Sequence, residues 1–178
     1  LDSDNFVGVV SMDLSKAFDC IPHGLLICKL KAYGLSQKAC LFMSSYLSRR
    51  LQRVKLENQR SEWMTLKKGV PQGSCLGPII FNIFMNDLFY TMENCNLTNY
   101  ADDNTIDVSS NTVELLIQAL QIDTEKALTW FSANFMQANP EKFQLLLMNP
   151  NNLTDIFPDH IEVNNTEIKR NESVKFLG

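Results

Sequence analysis

Tyr100-Ala101-Asp102-Asp103 lies between two strand-like runs. Upstream, Asn94-Cys95-Asn96-Leu97-Thr98-Asn99 is a short, partly apolar approach. Downstream, Asn104-Thr105-Ile106-Asp107-Val108 alternates polar and apolar residues as a half-buried strand does. Two adjacent acids between such runs predict a tight hairpin with carboxylates at its tip. Side chains alternate faces along an extended chain, so a turn is needed to bring both acids near one point. Unit charges about 4 Å apart repel by roughly 1 kcal/mol in water and about 4 kcal/mol at an effective dielectric near ~20. A divalent cation reverses that sign. Oxygen-only ligands suit Mg²⁺, which keeps several waters and also binds substrate phosphates. Asp and Asn favour turns in any case, so a solvated acidic turn is the other reading of these four residues.

The 178 residues fit one domain, and 45% hydrophobic against 20% charged residues is enough to build a core. A net charge of −4 argues against a generally basic nucleic-acid coat but leaves room for a local patch. The five cysteines are scattered without a CxxC pair, and two histidines give no zinc pattern. A reduced, intracellular setting is expected. No apolar run is long enough to span a bilayer and no leader pattern opens the chain, so no membrane partner is expected. The chain begins on Leu1-Asp2-Ser3 and stops at Phe176-Leu177-Gly178 as an apolar run forms, which reads as a piece of something longer.

Working outward from the acidic hairpin, FVGVVSM at 6–12 is β-rich and apolar, a candidate central strand that delivers Asp13 at its end. That Asp either offers a ligand at a sheet edge or simply begins the next turn or helix. Residues 25–32 have helical periodicity and stop near Gly34, and Ser36 is a candidate N-cap for a second helix over 37–47. His23, beside Pro22 at a helix entry, reads as structural. From Ser48 the chain turns basic and alternates, turns at 58–61, then alternates again, predicting a β-hairpin. Its outward positions include Arg53, Lys55 and Lys67, with Lys68 at its end. Such cations either follow a phosphate backbone or form the solvated face of an edge strand.

Next comes Gly69-Val70-Pro71-Gln72-Gly73-Ser74-Cys75-Leu76-Gly77-Pro78, leading into an apolar helix over 79–89. Three glycines and two prolines in ten residues fix an unusual backbone path. Such a loop at a helix entry can hold a phosphate or a base edge, with Gln72 supplying an amide and Gly73 a close approach. A helix-entry turn without ligand explains the prolines but not so much glycine. Residues 113–135 predict one amphipathic helix, 143–148 a short strand, and Asn164-Asn165 a hairpin turn. Residues 174–177 begin a last strand. Lys142, in the turn Asn139-Pro140-Glu141-Lys142, is either a solvated turn lysine or a positioned proton donor. If the strand ending at Asp13 pairs with the hairpin carrying Asp102 and Asp103, three carboxylates form a cluster. Such a cluster can hold two Mg²⁺ ions roughly 3.5–4 Å apart for in-line phosphoryl displacement.

FVGVVSMDLSKAFD, GVPQGSCLGPIIFNIFMNDL and YADD, in this order, resemble palm motifs of a reverse transcriptase of the non-LTR, jockey-like or long interspersed element type. DLSKAFDCIPHGLL, SSYLSRRLQRV, NPEKFQLLLM and the terminal VKFLG resemble later and intervening motifs of the same family, so the likeness covers essentially the whole chain. The resemblance implies an α+β polymerase palm, residues 1–178 as a single domain fragment with an antiparallel sheet of ferredoxin-like type packed on helices. On that resemblance, part of the fingers, helices and hairpin at 20–68, would be inserted between the first acidic strand and the Gly-rich loop, and the N-terminal fingers and C-terminal thumb would be absent. It implies RNA-directed DNA polymerase activity with two Mg²⁺ ions, or Mn²⁺ as substitute, held by Asp13, Asp102 and Asp103. Leu14 would offer a carbonyl, Lys16 and Ala17 would lie along the triphosphate, and Phe18 would exclude a ribose 2′-hydroxyl. Gln72 and Gly73 would contact nucleotide and template, and Lys142 would protonate pyrophosphate. Phe176, Leu177 and Gly178 would help grip the primer end. Implied partners are an RNA template, a DNA primer, dNTP, and the fingers, thumb and endonuclease segments of a longer polyprotein. The rival reading from a different class is a non-catalytic remnant that binds nucleic acid or a protein partner.

Overall fold

The computed structural model describes residues 5–149 and 156–174. In chain order, β1 (Phe6–Met12) and the short β2 (Leu14–Ser15) precede α1 (Ala17–Cys20), α2 (His23–Ala32) and α3 (Gln37–Leu47). Four two-residue strands follow, β3 (Leu51–Gln52), β4 (Lys55–Leu56), β5 (Gln59–Arg60) and β6 (Met64–Thr65), then α4 (Gly77–Met85) and a 3-10 segment, Asn86–Thr91. The remainder is β7 (Asn96–Tyr100), β8 (Asp103–Ser110), α5 (Val113–Ala133), β9 (Gln137–Ala138), a 3-10 turn at Pro140–Lys142, β10 (Gln144–Met148), β11 (His160–Val163) and β12 (Thr166–Lys169). The chain forms two compact units: Leu1–Ser15 with Asn86–Gly178, and Lys16–Met85. The insertion expected at 20–68 lies inside the second unit, whose bounds also take in the Gly-rich loop and α4.

In the first unit an antiparallel sheet runs β10-β1-β8-β7. The apolar run of β1 is central, as expected, and Val9, Val10 and Met12 are buried. α5 packs on this sheet because Gly8 carries no side chain: a Cβ there would lie 2.6 Å from Leu120 Cδ1 and 3.3 Å from Leu116 Cγ. Thr112 caps α5 by accepting the Leu115 N–H, and Leu116, Leu120, Ala127 and Phe131 form its buried stripe. The helix ends at Ala133 rather than 135, and Phe135 adopts φ 61 outside it. Asn164 and Asn165, at φ 50 and 60, make the β11–β12 turn, as Asn side chains tolerate the left-handed region. This hairpin is tied to α5 by Gln121 Nε2 donating to the Glu162 carbonyl, and to β10 by Asn171 N–H donating to Leu145 O. Val174 is not in a strand, and the rest of the expected last strand lies outside the described residues.

In the second unit, Gly34 at φ 88 follows α2, and Ser36 caps α3 by accepting the Ala39 N–H. Leu26, Leu30, Ile80, Phe81 and Phe84 are fully buried. Lys29 is buried too; its Nζ donates to the Phe84 carbonyl at 2.9 Å and lies 4.3 Å from the ring centroid. The apolar helix expected over 79–89 instead starts at Gly77 and ends at Met85, the chain then tightening into 3-10 geometry. The basic hairpin forms as two short ladders, β3–β6 and β4–β5, rather than one alternating ribbon. Its alternation does not bury a face: Leu51, Val54, Leu56, Trp63 and Met64 are all exposed. Among the described residues no helix is long and apolar enough to cross a membrane.

Candidate active site

β7 and β8 pair down to Tyr100↔Asp103, leaving Ala101-Asp102 as a two-residue connection. Ala101 takes φ 54, a conformation that non-glycine residues adopt sparingly. The turn is held from within the sheet. Asn104 is fully buried; its Nδ2 donates to the Asp102 carbonyl at 2.8 Å, while its Oδ1 accepts from the Asn99 amide. On the other side of β8, β1 pairs through Met12↔Asn104, so one further step along that register brings Asp13 level with Asp103.

Asp13, Asp102 and Asp103 are exposed at this end of the sheet. Among the described residues, neither Asp102 nor Asp103 has a side-chain partner. Asp13 faces Lys142, whose Nζ lies 3.9 Å from its Oδ2. The Asp13 carbonyl also accepts the Asn139 N–H at 3.2 Å, which fastens the turn bearing Lys142 to the acid-bearing backbone. Both charged groups are well exposed, so their direct attraction contributes little, about 0–1 kcal/mol. A cleft of about 660 Å³ beside them is lined by Asp13, Glu141, Lys142, Phe143, Gln144, Glu167, Lys169 and Asn171. The exposed oxygen donors suit a hard divalent ion in kind. Among the described residues, however, no three His, Cys, Asp or Glu side chains form a group that could hold a metal ion. The three acids therefore share a sheet end without closing into a three-ligand cluster.

The far end of the same hairpin is anchored by a residue the sequence reading passed over. Asp123 on α5 is fully buried, and its carboxylate accepts the N–H groups of Glu93, Asn94 and Cys95, the last two at 2.7 Å, together with the Asn94 amide. Burial pushes its pKa upward, but these donors outweigh that and hold it below the ordinary carboxylate range. The signal was present: position 123 falls in the apolar stripe between Leu120 and Ala127, where a carboxylate needs a reason. Beside it, the Cys95 thiol is pushed up to about 12, chiefly by burial and then by the Asp123 charge.

In the second unit, Lys16 is exposed at φ 51 and Ala17 is buried, so Ala17 can offer a ligand only its backbone. Phe18 is half-buried and stacks on Phe81, ring centroids 4.4 Å apart and planes 24° apart. Its carbonyl accepts the Val70 N–H, fastening it to the Gly-rich loop. In that loop the glycines divide by purpose. At Gly69, φ is 83 and a Cβ would lie 2.9 Å from Asp19 Cα; at Gly77 a Cβ would lie 3.0 Å from the Pro71 carbonyl. Backbone packing thus accounts for two glycines that had appeared to need a ligand. Gly73, at φ 75 with nothing within 4 Å, keeps open space. Gln72 Nε2 donates to Asp19 Oδ1 at 3.1 Å. His23 Nε2 and Arg50 Nη1 both reach the Gly69 carbonyl, a structural role for His23. Arg53 covers Trp63, Lys55 and Lys67 are exposed, and Lys68 pairs with Pro22 in an isolated bridge. Phe176, Leu177 and Gly178 lie outside the described residues.

The chain belongs to the reverse transcriptase family: residues 4–178 match the family described as reverse transcriptase (RNA-dependent DNA polymerase). It is 31% identical over 154 residues to a probable RNA-directed DNA polymerase from transposon BS of Drosophila melanogaster, covering 79% of this chain and 16% of that protein. It is 26% identical over 174 residues to the RNA-directed DNA polymerase from mobile element jockey of the same organism, covering 94% of this chain and 19% of that protein. The chain thus spans less than a fifth of these relatives' length. Among solved structures it is similar to apo telomerase from Candida tropicalis, with a TM-score of 0.59 at 16% identity, over 92% of this chain and 34% of that one.

Proposed function

We propose that the chain is the palm-centred core of an RNA-directed DNA polymerase of a non-LTR retrotransposon, transferring a nucleotide from dNTP to a primer 3′-hydroxyl on an RNA template. The observation that carries this reading is the strand register: Met12↔Asn104 and Tyr100↔Asp103 bring the segments bearing Asp13, Asp102 and Asp103 to one end of one sheet. Those three acids would hold the divalent ions, with the Leu14 carbonyl nearby in sequence. Two Mg²⁺ ions held there, or Mn²⁺ in their place, would supply positive charge for activating a primer hydroxyl and steadying a leaving pyrophosphate.

The chain's own residues then position and discriminate. Lys142, tethered to Asp13 through Asn139, is suited to deliver a proton to pyrophosphate. In the second unit, Phe18 would meet the sugar 2′ position, with Lys16 and the Ala17 backbone along the triphosphate. Gln72 and Gly73 would meet nucleotide and template, and Arg53, Lys55, Lys67 and Lys68 would follow phosphates. The fold class in this reading is a palm with part of the fingers within Lys16–Met85. Fingers, thumb and endonuclease parts of a longer polyprotein would complete it.

The test is primer extension on an RNA template with dNTP and Mg²⁺, beside Asp103→Asn and Asp102→Asn. Extension by the parent chain and loss in either variant, with the fold intact by circular dichroism, is the expected result. Retained extension in the variants defeats the reading. The second reading is a remnant that binds nucleic acid or a partner without chemistry. In that case primer–template binding is unmoved by adding Mg²⁺ and nucleotide.

A further inference from the structure

Charge is distributed very unevenly along this acidic chain. Residues 49–68 hold seven of its 16 basic residues and two of its 20 acidic ones. The remaining chain is therefore strongly acidic and repels phosphate, so the arm at 49–68 is where a polyanion is drawn. The arm is built rather than frayed. Leu66 N–H donates to the Arg50 carbonyl, Ser61 N–H to the Val54 carbonyl, and Val54 N–H to Ser61 Oγ, each at 2.9 Å. Arg50 Nη1 ties its root to the Gly69 carbonyl.

On this frame Trp63 is 55% exposed, with the Arg53 guanidinium carbon 4.3 Å from its ring centroid. The contact restrains the indole and adds a cation at its face. Leu56 and Met64 are exposed on the same arm, and Lys55, Arg60 and Lys67 are exposed around them. A duplex, with its bases stacked inside and phosphates outside, has no use for an exposed indole and aliphatic side chains. A single strand has: unpaired bases stack on aromatic rings while cations track the backbone.

We infer that the 49–68 arm is a docking platform for single-stranded RNA, with Trp63 stacking on an unpaired base and Lys55, Arg60 and Lys67 meeting flanking phosphates. This deepens the proposed polymerase reading, on which it rests, by assigning its template strand a landing site on residues other than the three acids. Trp63 and Arg60 thereby join the basic residues proposed to meet nucleic acid.

The experiment uses the full chain in EDTA, without nucleotide, so that catalysis plays no part. Binding of a labelled 12-nucleotide oligouridine is compared with binding of an RNA duplex of equal length, by anisotropy and by tryptophan emission. The other tryptophan, Trp130, is buried, so quenching by the single strand reports Trp63. Trp63→Ala is expected to weaken oligouridine binding roughly five- to a hundredfold and leave duplex binding within about twofold, while Trp63→Phe keeps most of the affinity. Lys55→Ala is expected to lower the log–log salt slope for the single strand by about 0.7. Unchanged oligouridine binding by Trp63→Ala overturns the proposal, and so does an equal loss for strand and duplex. A concentration-dependent association of the chain that Trp63→Ala abolishes also overturns it, assigning the arm to protein contact. A chain that fails to extend primers yet shows this selectivity loses only the polymerase reading. One that extends primers without it loses only the platform.

Discussion

The carboxylate of Asp123 accepts the backbone N–H of Cys95 at 2.7 Å, tying the middle of α5 to the residue that precedes β7. The acidic turn at the other end of β7 is thus referred to the helix on which the sheet rests. Asp123→Asn, which keeps the shape but loses the charge, is expected to cost about 1–3 kcal/mol in urea denaturation. The pH dependence follows from the lowered pKa. A group whose folded pKa is depressed stabilises fully above its unfolded value, near ~3.9, and loses that contribution as pH falls through the folded value. Acid titration of stability should show this limb in the parent chain and lack it in Asp123→Asn.

Cys95 is half-buried, yet its thiol is pushed up to about 12 by burial and by Asp123, so almost no thiolate forms at pH 8. Exposed Cys28 and Cys75 should be alkylated first by iodoacetamide, with Cys95 lagging well behind, as peptide mass mapping over time would reveal. Asp123→Asn should speed Cys95 labelling.

Three glycines make a graded test of packing. Gly8→Ala would drive a methyl into Leu120, and Gly69→Ala would force one against the Asp19 backbone at φ 83; each is expected to lose about 1–3 kcal/mol. Gly24, in α2 with nothing within 4 Å of its Cβ position, should accept Ala with a gain of about 0.5 kcal/mol. Thermal melts of the three variants check the order.

Phe18 rests on Phe81, and Phe81 is fully buried. Phe18→Ala is expected to reduce discrimination against ribonucleotides roughly 10- to 100-fold in primer extension. Phe81→Leu, which removes only the stacked support, should reduce it less. Unchanged discrimination in Phe18→Ala removes the sugar-sensing role.

The elements most legible in the sequence are those whose signal is local. FVGVVSM declares a central strand, Ser36 an N-cap, Asn164-Asn165 a left-handed turn, and YADD a hairpin tip, because each depends on neighbours within a few residues. What escaped depends on distant partners. Gly69 is a glycine because of Asp19, fifty residues earlier in the chain, and Asp123 is buried because three N–H groups arrive from 93–95. The alternating pattern of 51–67 promised a buried face, yet among the described residues Leu51, Val54, Leu56, Trp63 and Met64 stay exposed. For the candidate site, residue types and order singled out Asp13, Asp102 and Asp103 as proposed metal-binding acids, while their mutual distances are tertiary facts outside any motif.

The sheet order carries a consequence for how the chain is made. β1 pairs with β8, and the partners in that ladder stand 92 to 104 residues apart along the chain. At about 5–20 residues per second, the ribosome needs roughly 5–20 s to deliver that partner after β1 is complete. Meanwhile Lys16–Met85, contiguous in sequence, is synthesised whole. Throughout that interval an apolar strand with both edges unpaired waits on the nascent chain. It is there, during translation, that this protein is most open to aggregation and has most use for a chaperone.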